Sequence, residues 1–169
     1  RVWFLFKSMG HENVFVLNGG LQEWINSGFP TVNNREEQFE LGNFEAIFQP
    51  QFLIDYQGIQ KNLETNTALV VDARSELRFL GKAPEPREGL RSGNIPNSCN
   101  LHYESLLENG KYKSVEELKK RLILFENENS IIFSCGSGIT ACILFLAASE
   151  FMQAKLSVYD GSWTEWGSR

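Results

Sequence analysis

The chain has 169 residues, 42% hydrophobic and 22% charged, with a formal net charge of −5. That is enough for one full domain with a core and a little more, and the acidic balance argues against a nucleic-acid surface. No apolar run is long enough for a membrane span and no signal-peptide pattern opens the chain. Three cysteines without a C-x-x-C pair and only two histidines point away from disulfides, metals and cofactors, toward a reducing, cytoplasmic setting.

Residues 2–9 read as a short apolar helix closed by Gly10. Val14-Phe15-Val16-Leu17 is a buried-type strand, Asn18-Gly19-Gly20 a turn, and 21–26 a helix ended by Gly28 and Pro30. Residues 31–42 are polar, rich in Asn and Glu, and lack a hydrophobic period, as a linker or surface arm would. Residues 50–63 are expected to be helical, 68–73 a strand and 75–79 a short helix. A loop rich in Gly and Pro, 81–96, leads to a strand near 98–101. Residues 114–124 form a helix with Ser114 as N-cap and Glu117 three residues on, a capping box. Ile131-Ile132-Phe133 is a buried strand, 141–148 an apolar helix and 156–159 the last strand. Helices alternating with short buried strands predict an α/β domain with a mainly parallel sheet flanked by helices. Ligands bind such sheets at the carboxyl ends of the strands.

Val16-Leu17-Asn18-Gly19-Gly20-Leu21-Gln22-Glu23-Trp24 resembles Val158-Tyr159-Asp160-Gly161-Ser162-Trp163-Thr164-Glu165-Trp166, aligned without gaps. The separation is that of a domain, not of a solenoid repeat. It predicts the tail of a first copy over 1–30, a linker over 31–43 and a complete second copy over 44–169.

Ser134-Cys135-Gly136-Ser137-Gly138-Ile139-Thr140-Ala141 joins the buried strand to the apolar helix. A tight glycine loop there aims backbone N–H groups at one point, and the helix N-terminus adds partial positive charge. Cys135 opens this loop and is a candidate thiolate nucleophile in a cradle suited to negative charge. A buried structural cysteine is the plainer reading. Gly136-x-Gly138-x-x-Ala141, with Asp160 ending the next strand, also fits a dinucleotide fingerprint, although that motif normally opens the first βαβ unit. A phosphatase loop needs arginine where Ala141 stands, so that reading fails.

Arg74, Arg78, Lys82, Arg87 and Arg91 make the next candidate, a net positive segment stiffened by Pro84, Pro86 and Pro96. Arginine grips a carboxylate bidentately where lysine cannot, so an anion clamp is one reading and a solvated charged loop the other.

Several separated motifs together carry a resemblance. Val71-Asp72-Ala73-Arg74, Arg78-Phe79, Glu85-Pro86-Arg87-Glu88-Gly89-Leu90, Gly93-Asn94-Ile95-Pro96, the Cys135 loop and Tyr159-Asp160-Gly161-Ser162-Trp163-x-Glu165-Trp166 resemble the tandem-domain rhodanese family. The likeness is greatest to its mercaptopyruvate branch, and Asn18-Gly19-Gly20-Leu21-x-x-Trp24 is similar to the end of the family's first domain. The resemblance implies a sulfurtransferase. Cys135 would take sulfur from 3-mercaptopyruvate as a persulfide, release pyruvate, and pass the sulfur to a thiol, cyanide or thioredoxin-like acceptor. It implies that the loop at Gly136, Gly138, Ile139 and Thr140 holds the sulfur and that Arg78 and Arg87 bind the donor carboxylate. Ser137 would belong to a Ser-His-Asp relay whose other members lie in the first domain, outside this sequence. Thiosulfate enzymes carry basic side chains where Gly136 and Ser137 stand, so this neutral loop favours mercaptopyruvate. A thiosulfate sulfurtransferase and a non-catalytic binding module are the alternatives. Asn94 departs from the family's usual histidine, and Cys99 and Cys142, in apolar elements, read as core residues.

Overall fold

Apolar residues come in short runs flanked by turn formers, and most of these runs become a strand or the buried face of a helix. The computed structural model describes residues 1–33 and 40–169; the middle of the expected linker, 34–39, lies outside the described residues. Along the chain, α1 (Val2–Ser8) and α2 (Gly20–Asn26) precede β1 (Leu53–Ile54), α3 (Tyr56–Thr65), β2 (Leu69–Asp72), α4 (Glu76–Phe79) and β3 (Ser98–Asn100). The short strands β4 (Leu107–Glu108) and β5 (Lys111–Tyr112) follow, then α5 (Val115–Leu122), β6 (Ser130–Ser134), α6 (Ala141–Ser149), β7 (Lys155–Tyr159) and α7 (Ser162–Trp166). Five strands pair in parallel in the order β1-β7-β6-β2-β3.

Side chains alternate along a strand, so one sheet feeds two cores. Val71, Ile131, Phe133 and Val158 join α5 and α6 on one face, while Val70, Ile132 and Tyr159 join Ile59 of α3 and Trp163 and Trp166 of α7 on the other. Burial on both faces explains the uninterrupted apolar runs of β2 and β6. Helix α6 is apolar nearly all round because it too is covered on both sides. Its Phe145 lies 5.1 Å from the Phe4 ring of α1 and 6.3 Å from that of Phe133. Phe4 is fully buried, so α1 belongs to this core. Backbone bonds from Ile47 N–H to Met9 O and from Gln49 N–H to Ser8 O bring the chain back beside α1.

Two expectations need correction, and one element was not foreseen. Val14-Phe15-Val16-Leu17 is irregular rather than a strand, with Phe15, Val16 and Leu17 exposed. A strand needs a facing backbone, and among the described residues none pairs with it. The helix expected over 50–63 is split. Pro50–Phe52 is a 3₁₀ turn, Leu53–Ile54 pairs with β7, and α3 starts only where the Asp55 carboxylate accepts the Gly58 N–H at 2.8 Å. The β4–β5 hairpin was not expected, although Asn109 and Gly110, both at positive φ, are the residue pair a two-residue turn favours. The copies do match at their helices: α2 starts at Gly20 (φ 61°) and α7 at the aligned Ser162 (φ 50°).

Candidate active site

The chain leaves β2 toward β3 on one side of the sheet and leaves β6 toward β7 on the other. Such a reversal opens a crevice between the carboxyl ends of the two strands. Cys135 follows β6 at that point, and the Ala73 N–H after β2 donates to Ser134 O at 2.8 Å, locking the two strand ends together.

The loop is wound onto the start of α7. The Ser162 hydroxyl accepts the Cys135 N–H at 3.2 Å and the Gly138 N–H at 3.1 Å, and donates to Tyr159 O at 2.8 Å. Cys135 O accepts from Trp163 N–H at 2.9 Å. Gly136 O accepts from the Thr164 N–H at 2.9 Å and from its hydroxyl at 2.6 Å. The N–H groups of Gly136, Ser137, Ile139 and Thr140 find no acceptor among the described residues, and they lie just before the N-terminus of α6. Cys135 is buried, Ser137 and Thr140 are half-buried and Ile139 is exposed. Gly138, at φ 70°, has no room for a side chain: a Cβ would come 2.8 Å from Asp160 O. Arg1 braces the same point, donating to Gly138 O at 3.1 Å and pairing with Asp160 at 2.5 Å. Asp160 is thus paired with Arg1 beside the loop.

Two arginines of the 74–91 segment approach the loop, one directly and one through Thr164. A Cβ on Gly136 would lie 3.1 Å from Arg78 Nη2, so the Arg78 guanidinium lies against the loop, held from behind by Glu85 at 2.6 Å. Arg87 donates to the Thr164 hydroxyl, the group that donates to Gly136 O. Arg74 departs from the expected positive surface. Its side chain is 1% exposed and bonded to Asp72 at 2.7 Å, Glu85 at 2.8 Å and Gly93 O at 2.7 Å, with its guanidinium 4.4 Å from the Trp163 ring. A buried guanidinium with most of its donors engaged is a staple that fixes the 81–96 loop. Asn94, in the family's histidine position, donates to Phe79 O at 3.0 Å and ties that loop to α4.

Cys99 and Cys142 fit the core reading. Burial pushes the Cys99 thiol up to about 11 and raises Cys142 as well, so neither is a ready thiolate near neutral pH. All three cysteines are free. Reading the chain missed Ser162, Thr164 and Glu85 as parts of the site. Ser162 and Glu85 stand within motifs that carry the resemblance, without a role assigned there, and Ser162 is also the serine aligned with Gly20.

Residues 55–169 match the rhodanese-like domain. The chain belongs to the rhodanese family. Among curated relatives it is similar to 3-mercaptopyruvate sulfurtransferase of Mus musculus, 38% identical over 175 residues, with 100% of this chain and 58% of that protein covered. Thiosulfate sulfurtransferase of Bos taurus is equally close, 38% identical over 176 residues with the same shares covered. This rhodanese chain spans about three fifths of the length of such relatives. The crystal structure of SseA from Escherichia coli, a 3-mercaptopyruvate sulfotransferase by its description, superposes with a TM-score of 0.80 at 30% identity, covering 96% of this chain and 61% of that one. The rhodanese fold and the parallel sheet expected from the sequence both hold.

Proposed function

We propose that this rhodanese domain is a sulfurtransferase that carries sulfur on Cys135, with 3-mercaptopyruvate as donor. The Cys135 thiolate attacks the donor's thiol sulfur, the carbon–sulfur bond breaks, and its electrons leave as the enolate of pyruvate. A proton then gives pyruvate, and Cys135 is left as a persulfide. A thiolate acceptor, from a small thiol or a thioredoxin-like protein, or cyanide, attacks the outer sulfur and returns Cys135 as thiolate. Gly136, Gly138, Ile139 and Thr140 form the cradle around the sulfur, and Ser137 is the member of the proton relay within this chain.

One observation carries the donor assignment: Arg78 lies against Gly136, the residue after Cys135, and Arg87 bonds the Thr164 hydroxyl that donates to Gly136 O, while the loop itself bears no charge. A carboxylate donor needs guanidinium groups set back from the attacked sulfur, where its carboxylate lies. A sulfonate-like donor needs counter-charge beside it. The equal identity to mercaptopyruvate and thiosulfate enzymes leaves this choice to the loop. A reducing compartment, the cytoplasm by default, suits chemistry that needs a free Cys135 thiol. Residues 1–30 are read as the end of a first rhodanese copy, 31–43 as a linker and 44–169 as the catalytic copy, a division supported by the matched starts of α2 and α7.

Steady-state rates with both donors test this, measured on a chain of the relatives' full length. We expect kcat/KM for mercaptopyruvate at least about tenfold above that for thiosulfate, roughly 1.4 kcal/mol of discrimination. Gly136→Arg with Ser137→Lys should move the ratio toward thiosulfate. A wild-type preference for thiosulfate overturns the donor assignment.

A further inference from the structure

We propose that Ser162 is a positioning residue for the chemistry at Cys135, holding the loop and turning its hydroxyl toward the sulfur whenever that sulfur is negatively charged. The inference rests on the sulfurtransferase reading above and adds a residue that reading does not use.

Ser162 is fully buried at φ 50°, in the left-handed region that side chains other than glycine's rarely occupy. The aligned residue of the first copy is Gly20, which makes the same bend at φ 61° with no side chain. Backbone shape alone therefore asks for glycine, and strain of this kind concentrates at functional sites. What the serine adds is its hydroxyl.

That hydroxyl is fully subscribed. A serine has one donor and two acceptor positions. Both acceptor positions take N–H groups of the loop, from Cys135 and Gly138, and the donor goes to Tyr159 O. Cys135 Sγ lies 4.0 Å from Ser162 Oγ, at the outer reach of an O–H···S contact. The two N–H bonds fix the oxygen while the hydrogen rotates about the Cβ–Oγ bond. A neutral thiol competes poorly with a carbonyl for that hydrogen, and a thiolate competes well, because bonds to charged acceptors are the stronger ones. Sγ is charged twice in the cycle, as the attacking thiolate and as the thiolate released when the acceptor removes the outer sulfur. In both states the hydroxyl redirects its hydrogen bond to Sγ. No proton is transferred, and no bond to the donor carboxylate is involved.

Ser162→Ala and Ser162→Gly test this together. Alanine keeps the strained Cβ and loses the hydroxyl, whereas glycine loses both and is the residue the first copy uses at this bend. Three quantities are read: the rate of Cys135 alkylation by iodoacetamide, followed by peptide mapping; kcat and KM with mercaptopyruvate; and the thermal unfolding midpoint. We expect both variants to alkylate roughly tenfold more slowly and to lose about tenfold in kcat, with KM within about twofold, since losing a charge-assisted hydrogen bond acts on the reacting sulfur and not on carboxylate binding. The glycine variant should unfold at the higher temperature of the two and yet be as slow as the alanine variant. Rates at wild-type values in both variants, or rates that recover in the glycine variant along with its stability, overturn the proposal and leave Ser162 a purely structural residue. A wild-type protein that takes no sulfur from mercaptopyruvate sinks the sulfurtransferase reading instead, and the alkylation rates still decide the role of Ser162.

Discussion

Arg78 and Arg87 show why side-chain type matters more than charge at this site. Arg78 is shared between Glu85 and the loop, and Arg87 hangs from the Thr164 hydroxyl, so each presents a planar fork whose orientation is already set. Lysine would keep the charge and lose the fork. Arg87→Lys and Arg78→Lys, each assayed with mercaptopyruvate, should each lower kcat/KM about ten- to a hundredfold, mainly through KM, the size of one lost charge-assisted hydrogen bond. Wild-type kinetics in both variants would make the segment a solvated surface. At this scale the place of Cys135 between a buried strand and an apolar helix was legible, because that combination is unusual, and its role as nucleophile is the proposal that rests on it. The roles of the five basic residues were not separable in the sequence. Arg74 became a buried staple because Asp72, Glu85 and Gly93 O converge on it from three parts of the chain, and no local pattern records that convergence.

Among the elements, α5 was readable to its cap. The Ser114 hydroxyl accepts the Glu117 N–H while the Glu117 carboxylate accepts from Ser114, and that pairing holds the Glu117 carboxyl below the usual glutamate range. Ser114→Ala should lower stability to denaturant by about 1 kcal/mol near neutral pH. The sign of its pH dependence follows from the lowered carboxyl. Its share of the stabilisation is complete above the ordinary glutamate range and is lost as pH falls through the lowered folded-state value. The gap between wild type and variant should therefore narrow in acid, and a gap of the same size at both pH values would contradict the capping account. The elements that escaped notice are those with little local signal. β1 is two residues long and is made by its pairing with Val158 and Tyr159, a hundred positions away in the chain. The hairpin strands are two residues each as well, and only Asn109-Gly110 marks them. Residues 14–17 failed in the opposite sense: their composition suits a strand, but strand formation depends on a neighbour that composition does not reveal.

Across the whole molecule, the sheet order positions Cys135. Because β2 and β6 are adjacent and their connections run to opposite edges, Cys135 falls in the crevice between their diverging strand ends, with α4, the 81–96 loop and α7 around it. Helix α1 contributes from the far end of the sequence, burying Phe4 against Phe145 while Arg1 braces Gly138. The alternation of helices and strands predicted the parallel sheet, whereas the bends shared by Gly20 and the aligned Ser162 appear only in the backbone angles. The grip of α7 on the loop combines the Ser162 and Thr164 hydroxyls with the Trp163 and Thr164 N–H groups, and the backbone half of it, which nearly every residue could supply, left no trace in side-chain patterns. The central claim is that Cys135 accepts a sulfur atom, and intact mass measured after incubation with mercaptopyruvate tests it most directly. The account predicts a gain of one sulfur atom, removed by dithiothreitol, located at Cys135 by peptide mapping and absent in Cys135→Ser. An unchanged mass in a chain of the relatives' full length, or sulfur retained in Cys135→Ser, would contradict it.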